Sequence, residues 1–529
     1  MISVDLLSKK QFYFMKNSNV SILMAASLAV AIGFTSCDKD VAVTGVSIEQ
    51  PDLDLRVGSS GKLVISVAPV DATNKEVTYL SRGTDIATAG TDGTITGVSV
   101  GTTWVVVTTE EGHYRDSCQV SVEPAVGSTV NLTGNITTST TLKSDVNYIL
   151  EGWVYVKDGA TLTIEAGTVI KGKTGSKASL IIERGGKIMA EGTATKPIVF
   201  TSDKAAGQRA AGDWGGIILC GKAPINPTGG EAEIEGGVGT KYGGTNAADN
   251  SGTLKYVRIE YAGYAFAPDK EINGLTFGGV GSGTQVDYVQ VSFANDDSFE
   301  WFGGTVNCKH LIAFSGLDDE FDTDYGFNGA VQYIVGLRNP ITADVSKSNG
   351  FESDNDATGS TNLPTTNPKF ANVSLYGPKP TTESTANSLF AAAMHLRRKT
   401  ALEVYNSVFA GWPKGLLMAD GKGNAGNIQI KGVVFAGMSD NFAGNAAGEE
   451  AFFTDAARSN RTFATTAELN VNNPFLLTAP NFLPNTGSPL LTGAVAVPSG
   501  LEATTYIGAF GTTNWTAGWA NWTPQSTSY

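Results

Sequence analysis

Carboxylates crowd one stretch of this chain at a regular spacing. Asp296-Asp297-Ser298-Phe299-Glu300-Trp301 is followed by Asp318-Asp319-Glu320-Phe321-Asp322-Thr323-Asp324, and then by Gly350-Phe351-Glu352-Ser353-Asp354. Asp297 precedes Asp319 by 22 residues, and the same offset separates Phe299 from Phe321 and Glu300 from Asp322. The third Phe-acid word, Phe351-Glu352, begins 30 residues after Phe321. Carboxylates brought together in this way can trade protons as an acid–base pair or hold a hard cation through oxygen ligands. Met394-His395-Leu396-Arg397-Arg398 falls where the next repeat is due. Arg397 and Arg398 are therefore expected beside Glu352 and Asp354. They act there either as charge compensation or, with His395 as proton carrier, as part of a mixed acid–base ligand site.

Such a column needs a scaffold that stacks equivalent residues. A period in the low twenties with short β-rich words and no helical pattern signals a solenoid whose turns are rungs of a parallel β-helix. Rungs stack roughly 4.8 Å apart. Alternation along each strand sends the Phe column inward and Glu300, Asp322 and Glu352 outward, with Asp324 and Asp354 beside them. Upstream, Val289 aligns with Leu311 and Val291 with Ala313 at the same offset. Stacked like charges repel unless something compensates them. Glu300, Asp322, Asp324, Glu352 and Asp354 are thus a candidate Ca²⁺ set, since Ca²⁺ accepts irregular oxygen cages and Mg²⁺ does not. The alternative is a solvated acidic face. Trp301, next to Glu300, is a candidate ligand-binding aromatic.

The rest of the chain supplies further rungs. Gly152-Trp153-Val154-Tyr155-Val156, Gly159–Ile170, Leu180–Glu183, Gly185–Ile188, Pro197–Thr201 and Gly212–Ile217 are short strands broken by glycines, which provide positive φ at corners. These words resemble the right-handed parallel β-helices of surface and secreted bacterial proteins. Later rungs read at 254–261, 286–293, 308–315, 331–337, 370–376, 401–409 and 428–435, with inserts at 224–250, 340–349, 357–368 and 377–387 expected as surface loops. Residues 42–124 have a different texture, with short alternating strands of β-sandwich type. Thr44-Gly45-Val46-Ser47-Ile48, Ile86-Ala87-Thr88-Ala89 and Gly93-Thr94-Ile95-Thr96-Gly97-Val98 resemble the bacterial immunoglobulin-like group 2 family, which implies a spacer or adhesion module. Leu80-Ser81 stands where that family usually has Trp-Ser, so a repacked core is expected there. The reading is all-β: a signal segment over 1–37, an Ig-like β-sandwich over 42–124, a right-handed parallel β-helix over 130–485 and a C-terminal cap over 486–529.

The ends and the composition bound location and partners. Lys16, the apolar run 20–34 and Phe34-Thr35-Ser36-Cys37 read as an export signal ending in a word that resembles a bacterial lipobox. That resemblance implies lipid on Cys37 and a membrane partner; Met1 and Met15 are both candidate starts. The run is short for a membrane-spanning helix. Net charge is −14 over 529 residues, which argues against nucleic acid as a partner. Cys118, Cys220 and Cys308 are too few and too scattered for a disulfide framework and read as small apolar strand residues. Trp515, Trp519 and Trp522 are expected to plug the last rung, with sugar stacking as the rival role. Tyr506-Ile507-Gly508-Ala509-Phe510-Gly511, with Asn514-Trp515, resembles the end of a family of Bacteroidetes-type outer-membrane lipoproteins, implying a location on the cell surface.

Three functions fit. One is a lipid-anchored outer-membrane protein, facing outward, that binds an extracellular ligand such as a glycan, as an accessory to a nutrient importer or in adhesion. The second is a β-helix polysaccharide lyase or glycoside hydrolase; the third is a structural stalk. Glu300 and Asp322 on adjacent rungs would lie roughly 5 Å apart, near a retaining pair, and Glu300 and Glu352 roughly 10 Å apart, at the upper edge for an inverting pair. The chain lacks Gly-His-Gly and Arg-Ile-Lys words, so the expectation leans against catalysis.

Overall fold

A computed structural model describes residues 39–267, 270–419, 427–443 and 446–529. Cys37 and the export-signal reading lie outside them. No helix among the described residues is long and apolar enough to cross a membrane. The chain forms two compact units: residues before Glu123 apart from Arg56–Gly58, and Arg56–Gly58 with Glu123–Tyr529.

The first unit is antiparallel β. Asp52–Arg56, Arg115–Glu123, Gly101–Thr109 and Val77–Ser81 make one sheet in that order, and Ser60–Lys62, Thr94–Gly97 and Ala87–Ala89 another. Period-two alternation places Val105, Val107, Cys118 and Val120 inside. The expected repacking at Leu80 does not occur: Leu80 is 66% exposed, so its side chain leaves the core altogether and Ser81 takes the inward direction.

The second unit is a right-handed parallel β-helix. Its strands, from Thr129–Ile136 to Arg461–Phe463, form one continuous parallel ladder in which each strand pairs with its equivalent one rung on. The expected register holds: Phe299 pairs with Phe321, Glu300 with Asp322, Val289 with Leu311 and Val291 with Ala313. The ladder continues across the longer connection, where Phe321 pairs with Phe351 and Asp322 with Glu352. The inside is a continuous apolar core from Leu142 to Phe453. Phe299 and Phe321 stack in it with centroids 5.4 Å apart.

One corner turns through the left-handed region without glycine. Tyr256, Tyr288, His310, Tyr333, Asn372 and Asn406 occupy equivalent positions on successive rungs with φ between 48° and 59°. A left-handed non-glycine residue costs about 1–2 kcal/mol, and here stacking offsets it. Tyr256–Tyr288, Tyr288–His310 and His310–Tyr333 centroids lie 4.4, 4.3 and 5.1 Å apart, while Asn372 and Asn406 bond to the tail through their side chains.

The tail itself overturns the expected end plug. It runs back along the outside of the rungs: Asn406 Nδ2 donates to Val495 O, Gln332 Nε2 to Glu502 O, Gln290 Nε2 to Asn521 O, and Lys171 Nζ to Tyr529 O. Trp515 packs edge-on to His310 and Trp519 to Tyr256, so these indoles cover mid-helix rungs. The last rung is covered instead by the helix Ala446–Phe453, whose Phe453 stacks on Phe435 at 4.4 Å, and by Arg461–Phe463, which pairs with Val434–Ala436.

Candidate functional site

The site lies on the outward face of strands Leu275–Val280, Phe299–Gly304, Phe321–Asp324, Phe351–Ser353 and Ala392–Leu396. Because these strands are in register, their outward residues stack into columns. One reads Thr276, Glu300, Asp322, Glu352, His395. The next reads Gly278, Phe302, Asp324 and then Asp354. A third column comes from the turn two residues before each strand: Asn273, Asp297, Asp319, Asn349. It is tied upward by hydrogen bonds. Asp297 Oδ1 accepts the Asp319 N–H at 2.8 Å, Asp319 Oδ1 accepts the Asn349 N–H, and Asn349 Oδ1 accepts the Ala392 N–H at 3.2 Å.

The first and third columns contribute to a pocket of about 210 Å³ lined by Glu235, Glu271, Asn273, Asp296, Asp297, Glu300, Asp318, Asp319, Asp322, Glu352, Ser346, Lys347 and Arg397. Carboxylate oxygens of Asp297, Glu300 and Asp322 converge within 4.8 Å of one another, and so do those of Asp296, Asp297 and Asp318. Oδ1 of Asp322 and Oδ1 of Asp318 are buried with no hydrogen-bond partner, an arrangement that asks for a proton or a cation. Burial first, and then neighbouring carboxylates, push Asp297, Glu300, Asp319 and Asp322 well above the usual carboxylate range. Burial also raises Asp318 to about 6 and Asp324 to about 8, in the latter case with Asp354 contributing. Beneath the turn, the fully buried Arg338 donates to the Asp318 carbonyl at 2.6 Å and to Glu320 Oε1 at 2.9 Å. It thereby fixes the segment that carries Asp318 and Asp319.

The expected residues divide. Glu300 and Asp322 belong to the converging set. Glu352 does not: it is paired with Arg397 and with His395 at 3.1 Å. Asp354 is held by Arg397 at 2.9 Å and Arg398 at 2.8 Å, and Asp324 accepts its neighbour's N–H at 2.6 Å. The basic cluster therefore compensates the upper end of the acidic column. Burial opposes the charge on Arg397, but Glu352 and Asp354 outweigh it and hold the guanidinium protonated. Trp301 is not a ligand-binding residue: it is fully buried, stacked between Phe277 at 5.4 Å and Phe327 at 5.4 Å, because it shares the inward parity of Phe299. The residues not singled out beforehand as ligands are Asp297 and its turn neighbours Asp296 and Asp318. Their 22-residue recurrence was visible; their direction was not, because alternation does not extend into a turn.

The insert at 224–250 is more than a surface loop. With outward residues Ile181, Ile218, Cys220 and Phe302 of the rungs, its Ile225, Ile234, Val238 and Tyr242 form a second small apolar core. The outward face is thus apolar and covered over its earlier rungs, then acidic and open. Cys118, Cys220 and Cys308 are buried and free, as expected of apolar strand residues.

Comparison with known proteins adds chemistry to this geometry. Residues 134–520 match the family described as pectate-lyase like beta helix domain, and residues 42–120 match the bacterial Ig-like domain (group 2). An uncharacterized protein of Bacillus cereus is 40% identical over 87 residues, 16% of this chain and 66% of the relative. An alpha-L-arabinofuranosidase of Bifidobacterium longum subsp. longum is 39% identical over 84 residues, 16% of this chain and 8% of the relative. An Ig-like virion protein of Serratia phage KSP90 is 40% identical over 83 residues, 16% of this chain and 32% of the relative. The chain thus spans less than two thirds of the length of these curated relatives. The expectation against catalysis is overturned by the match of residues 134–520 to the pectate-lyase like beta helix family. The physical reason is that a site assembled by stacking draws its residues from neighbouring rungs, and needs none of the contiguous words whose absence motivated that expectation.

Proposed function

The chain belongs to the pectate-lyase-like β-helix family, and from that premise we propose that it cleaves an extracellular polysaccharide containing uronic acid at the acidic pocket. The observation that carries this reading is the convergence of Asp297, Glu300 and Asp322 within 4.8 Å, buried, partly unpartnered and too crowded to be fully ionised alone. These oxygens fit a divalent cation, Ca²⁺ before Mg²⁺, because ligands from a turn and two adjacent strands make an irregular cage. Bound there, a divalent cation supplies the positive charge that admits a uronate carboxylate and stabilises the charge developing when the neighbouring proton leaves.

The chain's own residues do the rest. Of the two basic side chains lining the pocket, Arg397 is locked by two carboxylates, which leaves Lys347 as the base. Lys347 sits on the rim in a left-handed conformation, φ 88°, an arrangement that stores about 1–3 kcal/mol of strain and clusters at functional sites. As the free amine it takes the proton from the carbon next to the uronate carboxylate and becomes an ammonium; the electrons of that carbon–hydrogen bond form the carbon–carbon double bond, the carbon–oxygen bond to the leaving sugar breaks, and the departing oxygen keeps its electron pair and takes a proton from water. His395 and Arg397 keep Glu352 in place.

A second reading, hydrolysis, is favoured by one observation: Glu300 and Asp322 oxygens lie within 4.8 Å, close to the spacing of a retaining pair. Product analysis separates the two. Incubation with polyuronates and Ca²⁺ should release unsaturated ends, lost in Asp322→Asn and Lys347→Ala. Saturated reducing ends alone would select hydrolysis, and no product with either chemistry would overturn cleavage. We further propose that lipid on Cys37 anchors the enzyme outside the cell. Release of protein from membranes by Cys37→Ala supports this, and a processed end without acyl mass refutes it.

A further inference from the structure

A second pocket, of about 450 Å³, adjoins the acidic one. Its walls are Tyr242, Phe302 and Tyr325, and its rim includes Glu233, Glu235 and the glycines Gly236 and Gly237. Glu235 lines both pockets. Phe302 and Glu300 point from the same face of one strand, two residues apart, which is roughly 7 Å. Two pockets on neighbouring positions of one rung, sharing a carboxylate, form one cleft.

The chemistry of the two halves differs. The acidic half repels anything anionic that lacks a cation. The second half is aromatic: Phe302 and Tyr242 are buried with centroids 6.1 Å apart, and the half-buried Tyr325, 5.8 Å from Phe302, is the most accessible ring. Carboxylates stand at its edge. An aromatic wall with hydrogen-bond acceptors at the rim suits a neutral sugar, whose axial hydrogens pack on a ring while its hydroxyls donate outward. The same carboxylates disfavour a second uronate there. Phe302 and Tyr325 are supplied by the rungs, and Tyr242 by the insert, through the antiparallel pair Ala232–Glu233 and Lys241–Tyr242.

Resting on the cleavage reading above, we propose that the pocket walled by Tyr242, Phe302 and Tyr325 is a subsite for a neutral sugar next to the uronate, so that the preferred substrate is a mixed polysaccharide and not a pure polyuronate. Tyr325 is the residue to test, because it is half-buried whereas Phe302 and Tyr242 are built into the small apolar core.

The experiment compares an oligosaccharide alternating uronate and neutral sugar with an all-uronate oligosaccharide. Tyr325→Ala should raise KM for the alternating substrate roughly 3- to 10-fold, the loss of one ring contact, with kcat and all-uronate cleavage unchanged. Tyr325→Phe, which keeps the ring, should restore KM. Equal effects on both substrates, or none on either, would overturn the subsite. Ligand-observed NMR of Asp322→Asn with a neutral disaccharide, with and without Tyr325→Ala, tests the subsite even if wild type cleaves nothing. Binding that depends on Tyr325 supports it then, and absence of binding refutes it, independently of whether the cleavage reading stands.

Discussion

Phe299, Phe321 and Phe351 stack on the inside of the same three strands whose outside carries Glu300, Asp322 and Glu352. The geometry of the two columns is one geometry, read from opposite faces, yet the energies have opposite sign. The inner rings gain by stacking and by leaving water. Glu300 and Asp322 on the outside lose by both burial and proximity, and their raised pKa values record it. The rung spacing is therefore set by the interior, and the exterior is carried at that spacing whether or not it suits the charges. A solenoid can in this way hold a strained polar site because its stability comes from elsewhere in the same rung.

Several measurements break or sharpen this contrast. The largest effect should come from the inner column: Phe321→Ala leaves a cavity between Phe299 and Phe351 and should destabilise the helix by about 3–5 kcal/mol, read as a lower denaturant midpoint. The outer column should respond with the opposite sign. Without cation, Asp322→Asn removes one of the crowded charges and should raise stability by about 1 kcal/mol, while abolishing turnover.

A smaller effect follows from pH. Asp318 and Asp324, raised to about 6 and about 8, bind protons in the folded state that the unfolded chain has already released above pH about 4. Unfolding then releases protons between those limits, so stability in EDTA should fall as pH rises from about 4 to about 8. Saturating Ca²⁺ should flatten the part of that slope due to Asp318, since a bound cation replaces its proton. A melting temperature that rises over this range in EDTA would contradict the burial argument. The smallest effect is expected at the compensated end: His395→Gln removes one of the partners of Glu352, leaves Arg397 in place, and should change stability by less than about 1 kcal/mol.

Much of this was legible in the sequence because stacking converts periodicity directly into neighbours. The 22-residue offset placed Glu300 on Asp322, and the repeated Phe-acid word bridged the 30-residue connection to Glu352. The basic word at 395–398 then fell on the next rung, where His395 pairs with Glu352 in the ladder. What was missed has specific causes. Trp301, a candidate ligand-binding aromatic by its place beside Glu300, follows the same parity that puts Phe299 inside. Asp297 and Asp318 sit in turns, where no period fixes direction. The course of residues 486–529 along the rungs depends on contacts such as Gln332 with Glu502, 170 residues apart, and the apolar role of the 224–250 insert emerges only when Ile234 and Tyr242 meet Phe302. Neither leaves a local pattern.

The most direct test of the account is a cation-dependent melting experiment near pH 8 on wild type and on Asp297→Asn with Asp322→Asn. A cation bound only by the folded state at about 100 times its dissociation constant adds about 2.7 kcal/mol. Wild type should therefore melt several degrees higher in Ca²⁺ than in EDTA, and the double variant should melt identically in both. Superimposable wild-type curves in Ca²⁺ and EDTA, with no metal retained on mass spectrometry of the native protein, would contradict a cation-holding pocket at Asp297, Glu300 and Asp322.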